Sequence, residues 1–160
     1  MDIFKIRSMV ILFFLSGSLL HSAPFVENGN GTVTDVATGL VWQKCSWGQT
    51  GSDCSGSSAT FATWSVALNQ CHSLTLASRS WRLPNVIELR SILDLTNALD
   101  PLVDTSAFPS TPIAGLYYWS STTSNSFGAN AARAVHFISG ALEFDDLKNQ
   151  SGYVRCVSGP

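Results

Sequence analysis

Tyr117-Tyr118-Trp119-Ser120-Ser121-Thr122, then Ala134-Val135-His136-Phe137, then Tyr153-Val154-Arg155-Cys156-Val157: these three runs decide the fold. They are rich in aromatic and β-branched residues, which suit a pleated, half-buried surface, and the last carries a cysteine. Strands are predicted over Tyr117 to Ser121, Arg133 to Ile138, Ala141 to Phe144 and Tyr153 to Val157, with Ser139-Gly140 as a tight turn between the middle two. The result is an antiparallel β-meander ending in a strand that a disulfide can staple.

Upstream of the meander the pattern changes from strand to helix. Trp81-Arg82-Leu83-Pro84 leads into Asn85-Val86-Ile87-Glu88, a capping-box start, and Leu89, Ile92 and Leu93 form the apolar stripe of a helix ending near Asp94 or Leu95. Trp64, Ala67, Leu68, Cys71 and Leu74 recur at helical spacing behind Thr63 as N-cap, so an earlier helix buries one face and carries a cysteine on it. Gly31 to Thr34 and Leu40 to Lys44 flank the turn Asp35-Val36-Ala37-Thr38-Gly39 and read as an opening hairpin. The fold class is α+β: an N-terminal hairpin, two helices, then the meander.

The first residues bear on compartment. Lys5 and Arg7 precede an apolar stretch from Met9 to Leu20, interrupted by Ser16, Gly17 and Ser18, which is too short for a transmembrane helix. Residues 1–23 are expected to be a cleavable secretory signal peptide, cut after Ala23 or after Ser22, and residues 24–160 a single domain. The mature chain is expected to be exported, in the periplasm, on the cell surface or outside the cell, with no membrane span. Lys and Arg number 9 against 11 Asp and Glu; removing Lys5, Arg7 and Asp2 with the signal leaves an acidic balance. That argues against nucleic acid and against a strongly basic, heparin-type surface.

Four cysteines, Cys45, Cys54, Cys71 and Cys156, survive cleavage, an even number suited to two disulfides in an oxidising compartment. Three pairings are possible. Cys45 and Cys54 flank a turn-rich run, which makes a local bridge the simple choice and leaves Cys71 for Cys156. On the chain-entropy argument the long bridge contributes ~4 kcal/mol and the short one ~2–3 kcal/mol. A four-cysteine zinc site is the rival, but the spacing lacks paired short knuckles.

These residues together carry a resemblance. Gly31 to Asp35, Thr38 to Cys45, Trp64 and Ala67, Trp81 to Asn85 with Glu88-Leu89, Phe108 to Pro112, Tyr118 to Thr122 and Tyr153 to Val157 resemble, in order, the C-terminal domain of the bacterial collagen-like adhesin Lcl. That family is similar to C-type-lectin-like domains and more distantly to formylglycine-generating enzymes. The resemblance implies a C-type-lectin-like scaffold, with Cys71 and Cys156 in place of the lectins' helix-to-last-strand disulfide. It also implies glycan, extracellular-matrix or sulfated-polysaccharide ligands, of which the acidic balance disfavours the last. The lectin calcium triplet, Glu-Pro-Asn or Gln-Pro-Asp, and the Trp-Asn-Asp strand are both missing, so calcium has no lectin motif to support it.

Trp119, Phe137 and the Trp81–Pro84 segment read as core, with Arg82 holding loop carbonyls. Phe127 differs, because it sits in the polar run Thr122 to Asn130. An exposed ring there would stack on a saccharide while Asn125 and Asn130 bond its hydroxyls. Glu143 and Asp145 are candidate ligand contacts, and with Asp146, beside Lys148, weak oxygen ligands for a cation, against the simpler reading of a solvated turn. Arg79, Arg82 and Arg90 read as a small basic cluster. His72 and His136 fall on separate elements without a nucleophile motif, so no catalytic residues and no cofactor are expected. The expected function is a binding module, a monomer or weakly self-associating, adhesin-like towards glycan or matrix. A structural protein of the cell envelope binding another protein is the alternative. Peptide mapping without reduction should recover Cys45 with Cys54 and Cys71 with Cys156; Cys45 joined to Cys71 would overturn the scaffold.

Overall fold

The computed structural model describes residues 24–96, 100–113, 117–138 and 144–159, with backbone alone at Phe127 and Phe144. The expected signal, residues 1–23, lies outside the described residues. Along the chain come β1 (Phe25–Glu27), β2 (Thr32–Asp35), β3 (Val41–Gln43), α1 (Trp64–Ser73), α2 (Val86–Ser91), β4 (Tyr118–Ser124), β5 (Ser126–Ala129), β6 (Ala131–Val135), β7 (Phe144–Leu147) and β8 (Val157–Ser158). The described residues are α+β, with two antiparallel sheets, two α-helices and two disulfides.

The first sheet has the order β1-β2-β3-β8. Its β2–β3 hairpin forms because the Asp35 carboxylate accepts from Ala37 N (2.9 Å) and Thr38 Oγ1 (2.6 Å), while Gly39 takes a positive φ of 73°. β1 carried no readable sequence signal, being three residues long; it is fixed by its ladder to β2 and by Phe25 edge-on to Phe108, 5.1 Å between centroids.

α1 begins after Thr63 as expected, but the Thr63 side chain makes no capping bond; Ala67 and Cys71 are its buried face. α2 has the full capping box. Asn85 Oδ1 accepts from Glu88 N (2.9 Å), and the Glu88 carboxylate accepts from Asn85 N (2.8 Å). The helix stops at Ser91, earlier than expected, because Leu93 N turns back to Arg90 O and Leu93 bridges Val103 instead of continuing the helix. Arg82 donates both Nη1 and Nη2 to Glu88 at 2.7 Å, a carboxylate partner the sequence reading did not assign. Burial opposes ionisation of Glu88, yet the guanidinium and the Asn85 N–H together hold its carboxyl below the usual range.

The meander forms the second sheet, ordered β4-β6-β7. β4 runs on to Ser124 because Thr123 pairs with Ala132 and Ser124 with Ala131, past a bulge between Trp119 and Thr123. β6 begins at Ala131, two residues before the expected start: Ala131, Ala132 and Ala134 are all buried, which removes the polar alternation that marks a strand edge in sequence. β7 begins at Phe144, where the predicted strand was to end; Ala141 to Glu143 lie outside the described residues.

The final segment joins both sheets. Tyr153 bridges Tyr118 in parallel, whereas Val157 pairs antiparallel with Trp42 and bridges Arg82. Every residue from Tyr153 to Ser158 is buried, so this stretch serves as interior spine and only Val157–Ser158 is regular strand. Trp81 and Leu83 are core residues, and Pro84 O accepts from Ser121 N (2.8 Å), which clamps the approach to α2 between the sheets. Both disulfides join the expected partners, with Cα separations of 5.2 Å for Cys45–Cys54 and 5.4 Å for Cys71–Cys156.

Arg155 is fully buried, and among the described residues no carboxylate is paired with it. Its Nη1 donates to Lys44 O (2.7 Å), its Nη2 to Thr111 Oγ1 (2.9 Å) and Ser46 Oγ (3.1 Å), and its plane lies 4.6 Å from the Phe108 ring centroid. Arg155→Lys keeps the charge but cannot reproduce the fork. It is expected to cost ~3 kcal/mol, about 10 °C in melting temperature by calorimetry, and an unchanged transition would refute the structural role.

Candidate functional site

The strongest candidate surface lies where the second sheet meets the start of α1. Because Ser124 pairs with Ala131, Asn125 and Asn130 stand on facing arms of the excursion that contains β5. Phe127 is the second residue of β5; its side chain lies outside the described residues. The sequence-predicted trio is therefore brought into one loop, although the segment read as an irregular loop is largely a continued β-ribbon.

β7 ties that loop down. Asp145 pairs with Arg133 across the ladder, Arg133 Nε standing 3.7 Å from its Oδ1, and its Oδ2 accepts a very short hydrogen bond from Ser126 Oγ. The Ser126 and Ser124 hydroxyls, with a smaller contribution from Arg133, hold the Asp145 carboxyl below the usual carboxylate range. Asp145 is thus a loop anchor rather than a free ligand. Asp146, next along the strand, takes the opposite face and lies against Tyr117. Burial, reinforced by this carboxylate, pushes the Tyr117 phenol well up, so that it stays neutral. Glu143 lies outside the described residues. Among the described residues no group of three His, Cys, Asp or Glu side chains is placed to hold a metal ion. Asp145 and Asp146 fail as a pair because successive strand residues point apart.

Lys148 organises the other wall. Its ammonium lies 4.3 Å from the Trp64 ring centroid and donates to Ala129 O (2.7 Å), while its backbone joins Asn130 O (2.8 Å) and Trp64 N (3.1 Å). Trp64 is fixed in turn by Nε1 donating to Ser120 O at 2.8 Å. Around this pair opens a groove of about 570 Å³ lined by Thr63, Ser65, Asn130, Leu147, Lys148 and Asn149. The side chains of Thr63, Ser65, Asn130 and Asn149 are left without hydrogen-bond partners among the described residues. The groove thus offers neutral hydroxyls and amides beside a cation already engaged by a ring and a carbonyl.

Sequence reasoning placed Asn130 here and missed Thr63, Ser65 and Asn149. Thr63 was read only as a helix cap; its lack of a capping bond is what leaves the hydroxyl available. Of the three arginines read as a basic cluster, Arg79 donates to Ser158 Oγ (3.1 Å) and Arg82 to Glu88. His72 lies on α1 and His136 just after β6.

The Ser126 contact predicts a titration. A carboxyl with a depressed folded-state pKa stabilises above its unfolded value and loses that contribution as pH falls through the folded one. In Ser126→Ala the Asp145 pKa should rise towards the ordinary carboxylate range, with loop amide signals broadening at higher pH than in the parent. Carbon-detected NMR titration reads both, and an unmoved Asp145 would refute the anchor.

A family model described as the Lcl C-terminal domain matches residues 31–158. No curated protein matches the chain, and no solved structure does. The matched span runs from the glycine that opens β2 to the last residue of β8, and takes in both disulfides, the buried Arg155 and the ribbon-end groove. The chain belongs to the Lcl C-terminal domain family.

Proposed function

We propose that this domain is an exported, adhesin-like binding module that recognises a glycan or extracellular-matrix ligand, without catalysis, through the groove at the ribbon end. The observation that carries the reading is the set of unpartnered neutral groups on Thr63, Ser65, Asn130 and Asn149 around the fixed Trp64–Lys148 pair. Hydroxyl-rich ligands are bound by such donors and acceptors arranged on a rigid frame. Family membership and the two disulfides support a surface-associated domain, and no described helix is long and apolar enough to cross a membrane. The non-enzymatic reading is supported by the commitment of all four cysteines to disulfides and by the placement of His72 and His136 on separate elements. The C-type-lectin-like scaffold implied by the resemblance is part of the same proposal.

Protein recovered after export, in oxidised form, should bind members of an immobilised glycan and matrix-protein array equally well with calcium and with chelator. Asn130→Ala combined with Asn149→Ala should weaken that binding roughly tenfold, the loss of one or two hydrogen bonds, while leaving the melting temperature unchanged. Binding to neither class, or binding indifferent to both amides, would defeat the proposal.

A further inference from the structure

A second surface, which shares no lining residue with the ribbon-end groove, combines an exposed ring with a rigid neutral rim. Phe61 is 48% exposed, and its inner side rests on Tyr153 at 5.0 Å between centroids. Ile113 is 54% exposed. Between them opens a groove of about 820 Å³ whose wall includes Gln49, Ser57 and Ser58. No Asp, Glu, Lys, Arg or His side chain lines it among the described residues.

The walls are held in place from below. The Cys45–Cys54 disulfide closes the loop that forms one side. Gln49 Nε2 donates to Ser110 O (2.7 Å) and Ser110 Oγ to Asp53 O (2.9 Å), which links that loop to the segment bearing Ile113. Ser57 Oγ donates to Gly48 O (2.6 Å) and Thr60 N to Trp47 O (2.8 Å). Gly48 has a φ of +91°, and a Cβ there would stand 2.1 Å from Thr60 Oγ1, so the loop accepts no side chain at that point. Arg155 grips Lys44 O on one wall and Thr111 on the other. The groove is therefore preorganised, and the Ser58 hydroxyl is exposed without an internal partner.

A fixed, supported aromatic face beside neutral hydroxyl and amide groups suits the C–H face and hydroxyls of an uncharged sugar. Nothing in the lining would pair with a sulfate, carboxylate or ammonium. A protein partner would call for a larger apolar area than Phe61, Ile113, Pro112 and Ala59 offer, or for charges to steer it. We infer that the Phe61 groove is a binding subsite for a neutral saccharide, with Phe61 as stacking platform and the exposed Ser58 hydroxyl as hydrogen-bonding rim. This deepens the reading of the domain as a recognition module and adds a site separate from the ribbon-end groove.

The test is amide chemical-shift mapping of the exported, oxidised protein titrated with neutral malto-, cello- and chito-oligosaccharides, and with a heparin oligosaccharide as the anionic probe. A neutral oligosaccharide should shift the amides of Gln49, Ser58 and Phe61. Phe61→Ala should weaken binding by roughly tenfold, the loss of one ring stack, and Phe61→Trp should keep it within about threefold. The tryptophan variant guards against a merely misfolded alanine variant. Shifts confined to the Asn130–Asn149 groove overturn this inference and leave the proposed function standing. Shifts from heparin alone, or capture of matrix proteins with no neutral saccharide bound, also overturn it. Failure of every saccharide and every matrix protein overturns both.

Discussion

The buried guanidinium of Arg155 is the constraint around which the rest of the molecule is arranged. A cation withdrawn from water is costly unless its donors are met, and here both terminal nitrogens are met by a main-chain carbonyl and by hydroxyls rather than by a carboxylate, while Nε is buried without a partner. Lys44 lies just past β3, Thr111 in the loop before the second sheet, and Phe108 and Tyr118 present ring faces at 4.6 and 5.6 Å. Ser46 is itself 2.6 Å from the Tyr118 hydroxyl. Segments far apart in sequence must reach one point before any of these contacts exists. Cys156, the next residue, is bonded to α1 through Cys71, so the same short spine positions the helix, both sheets and the loop walls.

This arrangement governs the kind of surface left over. The charges described in pairs are largely spent internally: Lys44 on Glu27 at 2.5 Å, Arg82 on Glu88, Arg133 near Asp145, and Lys148 on the Trp64 ring. What faces solvent at the two grooves is hydroxyl, amide and ring. Half-exposed ion pairs of this kind add modest stability. Their larger effect is on selectivity, because a surface with few free charges discriminates by shape and hydrogen bonding rather than by salt-sensitive attraction.

The rigidity of both grooves comes from opposite sources. At the ribbon end a lysine and an aspartate from β7 and the following turn reach back to β5 through side-chain bonds to Ala129 O and Ser126 Oγ. At the Phe61 groove a disulfide and main-chain bonds hold the loops. The first tether depends on a carboxylate whose ionisation is favoured by serine hydroxyls, whereas the second includes a covalent bridge.

Sequence by itself determined the α+β class, the β2–β3 hairpin, the capping box at Asn85 and Glu88 and the family, because each rests on local chemistry or on motifs kept in order along the chain, and it left the disulfide partners as the simplest of three pairings. Asn125 and Asn130 were legible as a loop pair for the same reason. Only the tertiary structure decided that Tyr153 to Ser158 is divided between two sheets, that Arg155 is interior, that Asp145 anchors while Asp146 turns to Tyr117, and that Thr63 and Phe61 border grooves. Burial on both sides erases the alternation by which a strand is read, and a side chain's partner across the fold leaves no mark on its neighbours in sequence.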